Sequence, residues 1–131
     1  MISVDTSVVV RYLVGTPVGQ ARRAAALIDD DETEIGVSVV ALAECAHVLR
    51  TQYDVEQHDI IDALIAFIQR KNVRVLELRG EIVAEALIRA RSPGRPIPDA
   101  LIVAASIARE ALPLATFDRD QRRYGIAIRE P

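Results

Sequence analysis

Two hydrophobic periods exchange along this chain, and that exchange constrains its fold more than any other feature. Short, mostly apolar runs occur at Ile2–Val4, Glu34–Val37, Val73–Leu76, Leu112–Thr116 and Ile126–Arg129. Between them lie longer stretches in which apolar residues recur every three or four positions. The short runs read as strands buried on both faces, because a strand with one wet face would alternate apolar and polar residues. The longer stretches read as amphipathic helices covering those faces. The predicted fold class is therefore α/β: a three-layer α/β/α sandwich around a central parallel sheet of about five strands, as one domain over residues 1–131.

The helices are predicted from their stripes. Gln20–Ile28 turns Ala24, Leu27 and Ile28 inward. Val39–Arg50, capped by Ser38, carries Val39, Leu42, Ala43, Ala46 and Leu49. Val55–Arg70 carries Ile60, Ile61, Leu64, Ile65 and Ile68, and Glu81–Arg91 carries Val83, Ala84, Leu87 and Ile88. Ala100–Glu110 is nearly all apolar and reads as a buried helix. After Asp5 two readings stand side by side. Val8–Val10 lengthens the first strand, or Asp5 or Thr6 caps a helix with Val9, Tyr12 and Leu13 on one face. Pro93–Pro98 is a loop, and Asp29–Glu32 reads as a solvated acidic helix end.

Composition narrows the class further. Half of the 131 residues are hydrophobic, which excludes a disordered chain. No uncharged apolar stretch is long enough to span a membrane. The opening Met1-Ile2-Ser3-Val4-Asp5 lacks the basic region of a secretory signal, so a cytoplasmic protein is expected. Cys45 is the only cysteine, which leaves no disulfide and no cysteine-based zinc site. The formal net charge is -3, and of the 16 lysines and arginines only Lys71 is a lysine.

Four acids stand where ligands bind in parallel α/β sheets, beyond the carboxyl ends of the strands. Asp5 closes the first strand and Asp118 follows the fourth. Asp99 opens the buried helix, and Glu44 interrupts an apolar helix, where an unpaired carboxylate is costly. Each has a structural explanation alone, as an N-cap, a helix-dipole partner or a turn residue. Together, and with no lysine placed to neutralise them, they would repel one another. A hard divalent cation resolves that conflict, so Mg²⁺ or Mn²⁺ and phosphoryl chemistry are the expected use of the pocket. His47 and His58 read as surface or rim residues.

The ordered set Val4-Asp5-Thr6-Ser7, Ala43-Glu44, Pro98-Asp99-Ala100-Leu101-Ile102 and Ala115-Thr116-Phe117-Asp118-Arg119-Asp120 resembles the PIN-domain ribonucleases. Within them it is most similar to the VapC toxins of bacterial type II toxin–antitoxin systems. The resemblance implies a metal-dependent endoribonuclease. Asp5, Glu44, Asp99 and Asp118 would be its catalytic, metal-binding carboxylates, and Thr6, Ser7, Thr116 and Asp120 would line the pocket. It also implies a homodimer, an RNA substrate cut to a 3′-hydroxyl and a 5′-phosphate, and a cognate antitoxin that occludes the acids. Two positions depart from the family pattern. Pro96 stands where many relatives carry another acid, and Gln121 stands where relatives often have Phe, a space Tyr124 would fill.

An acidic RNA-binding protein needs local basic surface. Arg89, Arg91 and Arg95 lead into the Asp99 loop, and Arg119, Arg122 and Arg123 follow Asp118; these are the candidate phosphate contacts. With three Tyr, two Phe and no Trp, a platform of several stacked bases is not expected. The surplus apolar residues of Val39–Arg50 and Val55–Arg70 suit a dimer mate or an antitoxin segment, with Arg11 and Tyr12 lining such a groove. Two other classes compete. A receiver-type phosphoacceptor domain needs a lysine after a late strand, whereas Lys71 lies between a helix and a strand. Ser7 likewise disfavours an Asp-x-Asp phosphatase. A PIN-like scaffold that binds RNA or a partner without cutting it is the non-enzymatic alternative.

Overall fold

The computed structural model describes residues 1–91, 96–118 and 126–131. Its sheet has five parallel strands in the order β3-β2-β1-β4-β5: β1 (Ile2–Val4), β2 (Ile35–Ser38), β3 (Val73–Leu76), β4 (Leu114–Ala115) and β5 (Ile128–Arg129). Val4 pairs with Val37 on one side and Ala115 on the other. All of β2 and both residues of β4 are buried. Burial of consecutive residues, which point to opposite faces, means that both faces of the sheet are covered. The helices that cover them are α1 (Thr6–Val14), α2 (Val18–Ile28), α3 (Val39–Thr51), α4 (Gln57–Ile68), α5 (Gly80–Ala90) and α6 (Ile97–Ala108). This is the three-layer α/β/α arrangement expected from the pattern. None of the described helices is long and apolar enough to cross a membrane.

The alternative left open after Asp5 is decided by capping. Asp5 is extended, and its carboxylate accepts the Val8 amide at 3.2 Å, so the chain turns into α1 directly. Val8, Val9 and Val10 are then buried as helical residues. The helix ends at Gly15, whose φ of 83° is left-handed and whose amide donates to the Arg11 carbonyl, a conformation that favours glycine. Ser38 caps α3 as expected, accepting the Ala41 amide at 3.0 Å.

Three predicted stripes need correction. In α3 the buried row is Ala41, Cys45 and Leu49, not one running through Val39 and Ala43, which are exposed. α3 is packed by α1, α4, α6 and β2, which leaves the row at i, i+4, i+8 buried. In α4 the inward residues are Ile60 and Phe67, while Ile61 and Ile65 are exposed. Phe67 was outside the predicted stripe; its ring meets that of Tyr12 at 6.0 Å between centroids. In α5 only Ala90 is buried, with Ile82, Val83 and Ala86 half-buried and Leu87 and Ile88 exposed. This helix packs chiefly on α6, and its shielded face runs through Ile82, Val83, Ala86 and Ala90.

Element bounds also shift. α2 begins at Val18 rather than Gln20, and α6 begins at Ile97 with Pro98 in its first turn, where proline's missing amide is not needed. The acidic run after α2 is solvated, as expected. Asp29 accepts the Tyr12 hydroxyl at 2.7 Å and pairs with Arg70 at 3.2 Å, and Asp30 accepts the Thr33 hydroxyl at 2.7 Å.

Candidate active site

From β1 the chain steps to β2 and β3 on one side and later to β4 and β5 on the other. The β1/β4 boundary is thus where the strand order reverses, and a crevice forms beyond the carboxyl ends of two such strands. Asp5 leaves β1 there, and Thr116, Phe117 and Asp118 leave β4. The Asp5 amide donates to the Ala115 carbonyl at 3.2 Å, which keeps the two strand ends side by side.

A cleft of about 310 Å³ opens at this point. Asp5, Glu44, Asp99 and Asp118 all line it, with Thr6, Ser7, Val10, Arg11, Val48, Gln52 and Tyr53. Four acids from well-separated parts of the sequence thus face one space. Asp5 is buried, Glu44 and Asp99 are half-buried, and Asp118 is exposed. Asp99 reaches the cleft because it sits in the first turn of α6. Glu44 reaches it from the second turn of α3.

Hydroxyl groups hold the carboxylates. Thr6 donates to Glu44 Oε1 at 2.8 Å, and Ser7 donates to Asp5 Oδ1 at 2.6 Å. Thr116 donates to Asp5 Oδ2 and accepts the Asp118 amide at 2.8 Å. Thr116 itself is buried and is not among the cleft-lining residues; it acts from behind the acids by fixing Asp5 and the backbone of Asp118. Ser7 is used twice, since its oxygen also accepts the Phe117 amide at 3.0 Å. Each hydroxyl therefore fixes one carboxylate rotamer, with the lone pairs that remain left for a ligand.

Burial pushes the Asp5 carboxyl above the usual carboxylate range. The hydrogen bonds from Ser7, Thr116 and the Val8 amide oppose that rise, and the charge of Asp118 adds to it. Desolvation and like-charge repulsion are the two costs that a bound cation relieves. The donor set is carboxylate and hydroxyl oxygen, which is hard and suits Mg²⁺ or Mn²⁺ better than a softer metal. By the chemistry of their donor atoms these residues suit such an ion. Among the described residues the one His/Cys/Asp/Glu grouping whose ligand atoms all lie within 4.8 Å of one another is Glu56, His58 and Asp59, which are exposed on or beside the first turn of α4 and are not among the residues lining this cleft.

Some expected residues stand elsewhere. Arg89 pairs with Glu85 at 2.7 Å and lines a groove between α5 and α6, apart from the acids. Arg91 is exposed at the end of α5. Arg95, Arg119, Asp120, Arg122 and Arg123 lie outside the described residues, as do Gln121 and Tyr124. Lys71 precedes β3, at the amino end of a parallel strand and thus at the sheet edge opposite the cleft.

Arg11, Gln52 and Tyr53 line the cleft without having been singled out for it. Arg11 was legible in principle: it lies one helical turn beyond Ser7, so any helix from Asp5 that turns Ser7 toward the acids brings residue 11 to the same side. Gln52 and Tyr53 follow the end of α3, and no sequence period points to them.

Known proteins share this fold. The PIN domain family profile matches residues 2–127. The fold is similar to that of VapC20 from Mycobacterium tuberculosis, a sarcin-ricin loop cleaving toxin, with a TM-score of 0.79 and 21% identity over 100% of both chains. It is also similar to VapBC2 from Rickettsia felis, solved with a DNA fragment from its promoter, with a TM-score of 0.68 and 18% identity over 98% of each chain. No curated protein sequence matches this one. With the profile spanning nearly all its residues and the acids of β1, α3, α6 and the β4 end on one cleft, the chain belongs to the PIN-domain family.

Proposed function

We propose that this protein is a Mg²⁺- or Mn²⁺-dependent endoribonuclease, the toxin of a toxin–antitoxin pair, acting as one domain in the cytoplasm. The observation that carries the reading is the meeting of Asp5, Glu44, Asp99 and Asp118 at one cleft in a PIN-domain chain. The two similar folds, a toxin that cleaves the sarcin-ricin loop and a VapBC assembly, support the toxin and its pairing with an antitoxin. A homodimer is part of the same reading, and the exposed Ile61 and Ile65 of α4 offer it apolar surface.

The four carboxylates would hold the ion. When bound, it supplies Lewis acidity at the phosphodiester and makes water a better nucleophile. The chain's own contribution is positioning. Thr6, Ser7 and Thr116 fix the Glu44 and Asp5 oxygens before substrate arrives, so little reorganisation is left for the reaction. A cleft carboxylate accepts the proton of the attacking water, and Glu44, Asp99 and Asp118 are the acids in reach of solvent. No side-chain nucleophile is needed.

The test is incubation of the purified protein with a panel of structured RNAs in Mg²⁺, Mn²⁺ or EDTA, with the ends mapped. Fragments with 3′-hydroxyl and 5′-phosphate ends, present with metal, absent in EDTA and absent with Asp5→Asn, are expected. Equal RNA binding in EDTA without fragments under any condition would identify a binding scaffold instead.

A further inference from the structure

A cation built into an acidic cleft needs a reason, and Arg11 is such a cation. Its side chain lines the same space as the four carboxylates. Yet among the described residues no ion pair joins its guanidinium to a carboxylate. Neutral groups hold it instead. Nε donates to Gln20 Oε1 at 2.5 Å, and Nη1 donates to the Ser7 carbonyl at 3.1 Å. The guanidinium lies over the Phe117 ring, 5.0 Å from the centroid. Nη2 makes no hydrogen bond to a described residue.

Each of these contacts restrains the plane without spending the charge. An internal counter-ion would lie against its acid. A guanidinium held by an amide oxygen, a carbonyl and a ring face is instead kept in place with its full charge, and its donor fork matches phosphate geometry. The supports are also tied to the acids. Ser7, whose carbonyl holds Nη1, donates its hydroxyl to Asp5, and Phe117 donates its amide to that hydroxyl. Arg11 and Asp5 are thus fixed relative to one another through two shared residues.

We infer that Arg11, held by Gln20 and Phe117, is a phosphate clamp that positions the RNA backbone beside the carboxylate pocket. The inference rests on the RNA-cutting reading above and adds a residue outside the acid set. One guanidinium anchors one phosphate, and the cleft acids face the adjoining part of the chain. Gln20 is a positioning residue, because it acts through Arg11.

The test separates binding from cutting. Binding of a fluorescein-labelled single-stranded RNA is followed by anisotropy in EDTA at several salt concentrations, in an Asp5→Asn background. Loss of one phosphate contact should lower the slope of log K against log salt by about 0.7. R11A and R11Q, the latter keeping much of the stem, should both show this, with binding about tenfold weaker. R11K should keep the slope and lose affinity, since lysine keeps the charge without the fork. Q20A should also keep the slope, and in the cutting-competent protein it should raise KM more than it lowers kcat. Arg109→Ala, at the far end of α6 from Asp99, should change nothing. Unchanged slopes in R11A and R11Q, with a lowered Tm of the metal-free protein, would make Arg11 an internal counter-charge and overturn the inference. So would an absence of RNA binding at every salt concentration. Failure of the wild type to cut RNA in either metal would instead overturn the nuclease reading, and the binding slopes would still decide the role of Arg11.

Discussion

Thr6 donates its hydroxyl to Glu44 at 2.8 Å across 38 residues of sequence, joining the first turn of α1 to the second turn of α3. That bond makes the position of Glu44 depend on the packing of two helices. Thr6→Val keeps the shape and removes the bond. Because Glu44 is half-buried and still reaches water, the cost to stability should stay below about 1 kcal/mol. Activity should fall more, by about tenfold, because a carboxylate free to change rotamer is no longer preset. Cleavage kinetics alongside thermal unfolding would check this, and equal losses in both would contradict it.

Asp5 should cost the metal-free fold stability at neutral pH. Its carboxyl is raised in the folded state by burial. A raised carboxyl contributes to folding in full below its unfolded value, and that contribution is lost as pH rises through the folded value. Asp5→Asn should therefore raise the Tm of the metal-free protein near neutral pH, with about 1 kcal/mol read as roughly 4 °C. The gain should vanish in acid. Mg²⁺ or Mn²⁺ at about a hundred times its Kd should stabilise the wild type by about 2.7 kcal/mol and the variant far less. Differential scanning fluorimetry over pH and metal concentration measures all of this.

Asn72 is a support remote from chemistry. Its buried side-chain nitrogen donates to the carbonyls of Ile28 at 2.8 Å, Thr33 at 3.1 Å and Asp30 at 3.2 Å, closing the loop from α2 to β2 against the start of β3. Asn72→Leu would leave those carbonyls without that partner and should cost about 2–3 kcal/mol. The loop lies at the amino edge of the sheet, so cleavage per folded molecule should be unchanged. Urea unfolding and an assay normalised to folded protein would show the two effects separately.

Cys45 follows Glu44 but points into the core. Burial pushes its thiol up to about 12, so almost no thiolate exists near neutral pH. Iodoacetamide should leave the native protein unmodified and label it rapidly in urea, as mass spectrometry would read. Labelling of the native protein at the unfolded rate would show that α3 opens readily.

Much of the fold was legible because it rests on local rules. The exchange of periods implied a parallel sheet under two helical layers, and the Asp5 and Ser38 caps lie where their side chains suit a helix start. The acids were legible as a set because each sits at a strand end or on a helix near one. The phases of α3, α4 and α5 were not. Ala41 and Ala43 carry the same apolar signal, and only packing by α1, α4, α6 and β2 buries one and exposes the other. Phe67 was missed in the same way, since its partner Tyr12 lies on a helix distant in sequence.

The sequence by itself determined the layers, the strand ends and the identity of the acids, because period, capping and charge act over a few residues. Only the tertiary structure decided that Thr116 stands behind Asp5 and that Arg11 enters the acid cleft unpaired with its carboxylates. Those outcomes depend on which faces of distant elements meet, and the contacts that select one face over another are absent until the helices close on the sheet.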